Sequence, residues 1–518
     1  MYDYLWLVVG GGIASFVAAM GIGANDVANA FASSIGSKAL TVKSAVAIAS
    51  VFECAGAILM GSHVTKTIRK GIADYECFED TPEIFIYGCF CVLISVAGWL
   101  FLASYLEMPV STTHSCVGGM VGMTLITGGT DCVIWYKAAE SFPYVGGVLG
   151  IVVSWFLSPL FSALSGGFIF YITRLSVLRR DNSFDKSYIF IPILVGLTVF
   201  LNSFFIIYKG GKGIGLDDLP AGASLLISSA LGFISSFCII PFIPRLKRNV
   251  IQRLDRQSAQ QDAAQREIQE CLPQGDILME EHMTNFKKVV AKIKENINYD
   301  VNNLKVNEVK TIHDNSEKFD DKTEESFKYL QIFTAICDSF SHGANDVANA
   351  IGPYAAIVTI YMNNGEMNSR VDMGSHAYLI LAMGGIGITV GLLLYGYKII
   401  KAIGVKLCCI TPSRGFAIEL GSATIIIIGS RLGIPLSTTH CQVGATMGVG
   451  ALEDMKKCSG INWKIAGKVF AGWILTLLIV GGTTALLAMQ GLYAPSKYDQ
   501  CHQYNQSLDS TKLTNSTL

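Results

Sequence analysis

Two identical eight-residue segments, rich in side chains that bind cations, are the first chemically informative feature of this sequence. GANDVANA occurs at residues 23–30 and again at 343–350, each time inside an apolar stretch. In a helix, the two asparagines share one face and the aspartate lies about 100° around from it. Carboxylate and amide oxygens are hard ligands that suit Na⁺, and a carboxylate can also carry a proton. The candidate cation-binding residues are Asn25, Asp26, Asn29, Asn345, Asp346 and Asn349.

Duplication of this group favours function over simple helix association. An aspartate inside a membrane is costly unless it is paired, so it is a functional candidate by default. The alternative is that Asn and Asp only join helices through hydrogen bonds. Gly21 and Gly23 lie at the first copy and predict local unwinding that would expose backbone carbonyls to a cation.

A second duplicated motif, PVSTTH at 109–114 and PLSTTH at 435–440, predicts an anion site. Proline ends one segment, and the serine that follows is a natural N-cap for a new helix. The free N–H groups at a helix start attract an oxyanion such as phosphate or sulfate, and adjacent hydroxyls add donors. Ordinary capping of two short helices is the alternative. The candidate anion-binding residues are Ser111, Thr112, Thr113, Ser437, Thr438 and Thr439.

Each of these anion motifs ends in a histidine. His114 and His440 are able to donate a hydrogen bond to the anion or to sense pH. A buried histidine also occurs as a packing residue with satisfied hydrogen bonds. Both interpretations stay open at the level of the sequence.

The composition places these motifs in a membrane protein. Of the 518 residues, 51% are hydrophobic and 15% are charged, whereas a soluble domain carries roughly 25% charged residues. The mean hydropathy is +0.44. A net charge of −1 excludes the basic footprint of a nucleic-acid-binding protein. The 14 cysteines include no CxxC pair, and most lie in apolar runs, so we predict small buried hydrophobes with no redox role.

Twelve apolar runs are close to the length needed to cross a bilayer, which is about 20 residues for a helix. Two of them, 110–129 and 436–452, are short and predict broken or re-entrant helices at the STTH motifs. The predicted spans are 4–30, 41–62, 84–105, 110–129, 144–174, 188–208, 221–243, 327–361, 376–396, 415–431, 436–452 and 465–490. The sequence therefore predicts an all-α polytopic membrane protein.

The spans predict four regions along the chain. Residues 1–243 form a first transmembrane repeat with connecting spans, 244–326 a polar linker, 327–490 a second repeat and 491–518 a tail. Basic loops at 174–187, 397–414 and 453–464 predict a cytoplasmic linker and two extracellular termini, because positive charge favours the cytoplasmic side.

Other features bear on this orientation. The start of the chain lacks the basic segment of a cleaved signal peptide, so we expect it to stay as the first span. Glycosylation sequons at Asn505 and Asn515 fit an extracellular tail and a plasma-membrane location. The loop 63–83 disagrees, since it would be extracellular yet contains Lys66, Arg69 and Lys70.

The duplicated motifs predict two repeats of opposite orientation. The cation motif recurs after 320 residues and the anion motif after 326, while a weaker similarity joins Gly56 and its neighbours to Gly391 at an offset of 335. The two cation motifs lie in the first and the eighth predicted span, and an odd difference of seven means that the copies cross in opposite directions. Secondary transporters use this plan and hold their substrate near the midplane, between the repeats.

Two glutamates in apolar spans break the symmetry of the repeats. Glu53 falls opposite Ile388, and Glu419 falls opposite Leu93. We therefore expect an asymmetric path for the coupling ion, with a different glutamate in each half.

These residues together resemble the inorganic phosphate transporter (PiT) family. The resemblance lies in the paired GANDVANA and STTH motifs, in Phe52-Glu53 and in TPSRGFAIEL at 411–420. VTKTIRKGI at 64–72 is similar to the eukaryotic sodium-dependent branch. The resemblance covers both predicted repeats but neither the central linker nor the tail.

The resemblance implies cation-coupled phosphate uptake, with Na⁺ in most members and H⁺ in some. It implies that Asp26 and Asp346 are essential, that the STTH segments bind phosphate and that Glu53 and Glu419 matter for transport. Na⁺ would bind at Asp26, Asn29, Asp346 and Asn349. No other cofactor is expected; the partners would be phosphate, the coupling ion, the bilayer and a second copy in a homodimer.

Three other functions compete with this one. Two intramembrane aspartates also define a class of proteases, but the GxGD motif of that class is absent and the duplicated asparagines would be unexplained. A channel would conduct without accumulating its solute. A sulfate transporter is the nearest rival, although phosphate alone can donate a hydrogen bond to an aspartate near neutral pH. The family resemblance decides for phosphate, and we expect no enzymatic activity.

Overall fold

The structure is a computed structural model of the chain. It describes residues 4–138, 144–208, 219–270, 316–367, 376–396, 399–400, 407–453 and 460–493.

Helices make up most of the first half of the described chain. They end and restart at glycine, proline and polar residues that interrupt the apolar runs. The helices are α1 (Leu5–Ile22), α2 (Ala28–Ala30), α3 (Ala32–Gly36), α4 (Val42–Met60), α5 (Ser62–Lys70), α6 (Pro82–Tyr105), α7 (Thr112–Thr127), α8 (Gly147–Thr173), α9 (Ser183–Ile207), α10 (Ala221–Ile239) and α11 (Ile243–Glu270). A short antiparallel hairpin precedes α8, with β1 (Lys137–Ala138) paired to β2 (Val145–Gly146).

The second half contains fewer and longer helices. The helices are α12 (Asp321–Met362), α13 (His376–Tyr395), α14 (Pro412–Arg431), α15 (Thr438–Ala451) and α16 (Trp463–Tyr493). With 42 residues, α12 is the longest of them, and the Asp320 side chain caps its start by accepting from the Thr323 N–H. The first six residues of α12 belong to the predicted linker, 244–326.

Eight helices of the described chain are long and apolar enough to cross a membrane. They are Leu5–Val27, Val42–Met60, Pro82–Tyr105, Gly147–Leu178, Ser183–Phe204, Ala221–Arg256, His376–Tyr395 and Trp463–Tyr493. The other four predicted spans also form helices. At 16 and 14 residues, α7 and α15 are too short, since they measure about 24 and 21 Å against a core of about 30 Å. By contrast, α12 and α14 are long enough but fall short in apolarity because they carry buried polar side chains.

The predicted unwinding at Gly21 and Gly23 is wrong in detail. The first copy of the cation motif widens into a π-helical turn at Gly23–Val27, whereas the second copy continues as α-helix within α12. A π-helical turn keeps backbone hydrogen bonds while it shifts the side chains that follow it. The main chain at this motif is therefore displaced rather than opened.

Glycines bring the two halves into direct backbone contact. A β-carbon at Gly23 would collide with the carbonyl oxygen of Ile388, and one at Gly343 would collide with that of Glu53. Gly56 faces the carbonyl of Phe340 in the same way, as Gly391 faces that of Met20. Each contact recurs at the sequence offsets of 320 and 335. The helix pair α4–α12 thus matches the pair formed by α13 with α1 and its π-helical turn.

A disulfide joins two of the interhelical loops, which the sequence analysis did not predict. Cys77 bonds to Cys132, 55 residues further along the chain. The cysteines described in the apolar helices are free, as expected. Disulfides persist in oxidising compartments, so this bond supports an extracellular position for both loops.

One of the positively charged residues near this disulfide is buried and not at the surface. Arg69 lies in α5, is 3% exposed and donates a hydrogen bond of 2.8 Å to Thr359 Oγ1. A buried arginine that is hydrogen-bonded within the protein does not contribute to the surface charge that orients a loop. The positive residues counted in loop 63–83 therefore overstate its cytoplasmic character.

The end of the central linker is attached to both halves of the protein by hydrogen bonds from arginine side chains. Arg179 donates two hydrogen bonds to the Glu317 carboxylate, at 2.8 and 2.9 Å, and this holds the pKa of Glu317 below its usual value. Arg414 donates to Glu453 at 2.8 and 2.6 Å and to the Glu317 carbonyl at 2.8 Å. These contacts join the ends of α8, α14 and α15 to the residues that precede α12.

Candidate functional site

The two anion motifs begin two helices whose N-termini meet. Ser111 caps α7 by accepting from the His114 N–H at 3.2 Å, and Ser437 caps α15 by accepting from the His440 N–H at 3.3 Å. The two capping hydroxyls lie 2.8 Å apart. Two positive helix ends therefore face one another inside the protein, as an anion site requires.

Threonines of each motif reach across to the other motif. Thr113 Oγ1 donates to the Leu436 carbonyl at 2.9 Å, and Thr439 Oγ1 donates to the Val110 carbonyl at 3.2 Å. These two contacts are related by the 326-residue offset between the motifs. The segments before α7 and α15 thus lock together symmetrically.

Both aspartates lie against these helix starts. Asp26 Oδ2 accepts from the N–H and the hydroxyl of Thr112, at 3.2 and 2.5 Å, and its Oδ1 accepts from the Thr439 hydroxyl. Asp346 Oδ2 accepts from the Thr438 hydroxyl at 2.5 Å. Asp26 therefore bonds to both helix starts, and the predicted cation and anion residues form a single buried site.

Two of the predicted asparagines hold the backbone that leads into the helices. Asn25 accepts from the Val110 N–H at 2.9 Å and donates to the Met108 carbonyl at 3.0 Å. Asn345 donates to the Leu436 carbonyl at 2.7 Å. In these positions the amides orient the STTH segments.

Asn349 offers an oxygen to the site. Its amide nitrogen donates to the hydroxyls of Thr112 and Thr113 at 3.1 and 3.2 Å. Its Oδ1 is buried and accepts no hydrogen bond from the part of the chain that the structure describes. A buried oxygen of this kind suits a cation ligand. The side chain of Asn29, its counterpart in the first copy, lies outside the described residues.

His342 is a site residue that the sequence analysis missed. Its Nδ1 lies 2.9 Å from Glu53 Oε2 and its Nε2 lies 2.9 Å from Asp346 Oδ2. Ligand atoms of Asp26, His342 and Asp346 all lie within 4.8 Å of one another, close enough to hold one metal ion. The sequence contained one indication of its importance, because His342 lies directly before the second GANDVANA, where the first copy has Ile22. A comparison limited to identical residues of the two copies does not select it.

Glu53 and Glu419 both face α12, at different heights. Glu53 is bound to His342 and accepts from Ser339 Oγ at 3.1 Å. Glu419 is fully buried and accepts four hydrogen bonds from neutral side chains. Its donors are Ser33 at 2.7 Å, Ser34 at 2.5 Å, Gln331 at 3.1 Å and Thr334 at 2.7 Å. Both glutamates are thus bound by side chains of the same helix of the second half, α12.

His114 and His440 pack between aromatic rings. The His114 ring lies 3.8 Å from that of Trp155 and 4.6 Å from that of His440, which stacks 3.6 Å from Trp473. His440 Nδ1 is also 2.9 Å from the Trp155 carbonyl oxygen. Both rings are thus packed, but His114 Nδ1 and His440 Nε2 are buried and have no hydrogen-bond partner among the described residues, so the two interpretations of these histidines stay open.

The architecture defines a class of protein. Membrane-spanning helices enclose two converging helix N-termini, two carboxylates and uncharged oxygen ligands, which is the arrangement of a transporter for a small anion and a cation. Comparisons with known proteins agree. Residues 22–484 match the sequence profile of the phosphate transporter family. The chain therefore belongs to this family, whose members are phosphate transporters and not enzymes.

Individual relatives match over nearly the whole chain. A phosphate-repressible phosphate permease of Neurospora crassa is 28% identical, with 93% of this chain and 96% of the permease covered. A sodium-dependent phosphate transporter of Plasmodium falciparum is 29% identical, with 95% and 98% covered. A solved structure titled as the sodium-dependent phosphate transporter is 31% identical, with a TM-score of 0.69 and coverage of 93% of this chain and 98% of that one.

Proposed function

We propose that this protein carries inorganic phosphate across a membrane together with Na⁺. The observation that supports this most is the convergence of two helix N-termini with two aspartates. Phosphate would bind at Ser111, Thr112, Thr113, Ser437, Thr438 and Thr439, and its hydroxyl could donate to Asp26 or Asp346. Sulfate has no proton to donate near neutral pH, so this pair of acceptors favours phosphate.

Coupling to a cation follows from charge. Each negative charge of phosphate placed about 4 Å from a carboxylate costs about 4 kcal/mol at an effective dielectric constant of 20. A Na⁺ between them offsets this repulsion, so each ion raises the affinity for the other, and linkage requires the effect to be reciprocal. Asp26, Asp346 and the free oxygen of Asn349 are the ligands we assign to Na⁺, with Asn29 as a further candidate.

The transport cycle would rest on two inverted repeats. The matching contacts of Gly23 and Gly343, and of Thr113 and Thr439, support a common ancestor for the two halves. Movement of one repeat against the other would open the shared site to each side in turn. We place the linker in the cytoplasm and both termini outside, in the plasma membrane, with the protein as a homodimer; the Cys77–Cys132 bond supports this orientation.

H⁺ coupling is a second candidate because of one contact. His342 bridges Glu53 and Asp346, and a histidine between two carboxylates is able to pass a proton. The same experiment separates the two coupling ions.

The test is uptake of radiolabelled phosphate into proteoliposomes under an inward Na⁺ gradient, an inward H⁺ gradient or neither. We expect Na⁺-driven accumulation that is abolished in Asp26→Asn, because the variant loses the charge that holds the cation. Accumulation driven only by H⁺ would establish the second candidate. Equal uptake under all three conditions would identify a channel or facilitator and overturn cation coupling.

A further inference from the structure

A stripe of buried polar side chains runs along one face of α12. Its members follow one another at intervals of three or four residues, so they share a face of the helix. They are Gln331, Thr334, Asp338, His342, Asn345 and Asn349, each at most 1% exposed. From the first to the last the helix rises about 27 Å, nearly the thickness of the hydrocarbon core. The stripe therefore leads from the linker end of α12 to the phosphate site.

The first copy has no such stripe. At an offset of 320 residues, the positions that correspond to Gln331, Thr334, Asp338 and His342 are occupied by other residues. They are Gly11, Ala14, Ala18 and Ile22. The first copy therefore lacks polar side chains at the four positions that precede the cation motif in the stripe. The cation motif is duplicated, but the stripe of polar side chains that leads to it along α12 is not.

Asp338 is the charged member of the stripe that the site does not use. Its carboxylate accepts from the Gln442 amide and from Ser422 Oγ, the latter at 3.3 Å. Ser422 also donates to the Glu419 carbonyl at 3.1 Å, so Asp338 lies next to the turn that carries Glu419. On α12 it is four residues after Thr334, which bonds to Glu419, and four before His342.

The charge around Asp338 indicates what the stripe binds. In the described parts of the chain, neither Asp338 nor Glu419 forms an ion pair with a lysine, arginine or histidine, and the side chains that donate hydrogen bonds to them are neutral. A carboxylate buried at membrane depth is stabilised by a bound proton or by a cation beside it. At the inner end of the stripe, the free Oδ1 of Asn349 and the Asp26–His342–Asp346 group independently indicate a cation ligand set.

We propose that Asp338 is a binding station for the coupling cation between Glu419 and the phosphate site. The cation then moves along α12 from Glu419 to Asp338 and on to Asp346, through the second repeat alone. Gln442 and Ser422 orient the Asp338 carboxylate and supply further oxygens. This inference rests on the proposed Na⁺-coupled function and assigns the route that the ion takes.

The test compares Na⁺ activation of phosphate uptake by wild type and Asp338→Asn in proteoliposomes. Loss of a ligand charge next to a bound ion lowers its affinity about tenfold or more. We therefore expect the half-saturating Na⁺ concentration to rise about tenfold, while phosphate affinity at saturating Na⁺ stays at the wild-type value. Asp185→Asn is the matched control, since Asp185 is exposed and pairs with Lys247 outside the stripe.

Two further arms keep the result decisive. Asp338→Glu retains the charge but displaces it, so it should fold and still shift the Na⁺ curve. Stabilisation of the purified protein by Na⁺, followed as thermal unfolding without any transport, should need more Na⁺ in both variants. If folded Asp338→Asn or Asp338→Glu takes up phosphate with the wild-type dependence on Na⁺ concentration, Asp338 is not a binding station, and the proposed function is unaffected. If uptake by wild type does not depend on Na⁺, the proposed function and the binding station are both wrong.

Discussion

At the scale of residues, the site is organised by hydroxyl groups placed between negative charges. Thr112, Thr438 and Thr439 donate to the two aspartates, and His342 is held between Asp346 and Glu53. In the proposed function, a phosphate ion that enters exchanges these internal hydrogen bonds for its own. A cation would offset the negative charge of the acids, which would account for anion and cation residues lying in one site.

A substitution at Glu53 tests this arrangement most directly. In Glu53→Gln, His342 loses its charged partner and is no longer oriented toward Asp346. We expect uptake of phosphate to fall about tenfold or more, measured in proteoliposomes with an imposed Na⁺ gradient. Glu79→Gln, which neutralises an exposed acid of the same half, should transport normally. Normal transport by Glu53→Gln would remove Glu53 from the ion path.

At the scale of elements, close helix contacts set the geometry of the site. Gly343 packs on the backbone of Glu53, in α4, and Gly23 packs on the backbone of Ile388, in α13. Each of these glycines is the first residue of a cation motif. The helices that carry Asp26 and Asp346 are thus positioned by contacts that leave no room for a side chain.

Alanine at these two glycines should destabilise the protein. The added methyl group in Gly23→Ala or Gly343→Ala meets a backbone carbonyl, which cannot move without its helix, and overpacking of this kind costs about 1–3 kcal/mol. Thermal unfolding of the detergent-purified protein measures the loss. Gly98→Ala in α6 is the control, because its β-carbon would have no neighbour within 4 Å. A wild-type melting temperature for Gly343→Ala would contradict the packing described here.

At the scale of the whole molecule, the disulfide and the linker contacts mark opposite sides of the membrane in the proposed topology. Cys77–Cys132 lies in loops assigned to the outside, whereas Glu317 pairs with Arg179 on the side assigned to the cytoplasm. Basic residues alone left loop 63–83 in conflict with this orientation. Burial of Arg69 removes part of the conflict.

Labelling of intact cells tests the orientation. An impermeant phosphine should reduce Cys77–Cys132 from outside, after which an impermeant polyethylene-glycol maleimide should add two mass increments beyond the one expected from Cys501 in the tail assigned to the outside. The double variant Cys77→Ser, Cys132→Ser should lack these two increments and keep that of Cys501 under the same treatment. If wild type is labelled only after the cells are permeabilised, the topology must be reversed.

The sequence by itself determined the features that depend on neighbouring residues. A helix cap needs a serine and an N–H three residues away, so Ser111 and Ser437 could be predicted as caps from their motifs. Apolar runs likewise predicted the long helices other than α11, which lies in the predicted polar linker. The duplicated motifs also singled out both aspartates and all six STTH hydroxyl residues as candidates, whose roles in binding stay predictions.

Only the tertiary structure decided which distant residues meet. His342 reaches Glu53 across 289 positions, and Glu419 accepts from Ser34 across 385. The same holds for Asp338, whose partner Gln442 is on another helix, and for the pairing of Cys77 with Cys132. None of these pairs is repeated in the other half, so the symmetry of the motifs carried no information about them. Long-range packing places unique residues beside the duplicated ones, so the same motif has different surroundings in the two halves.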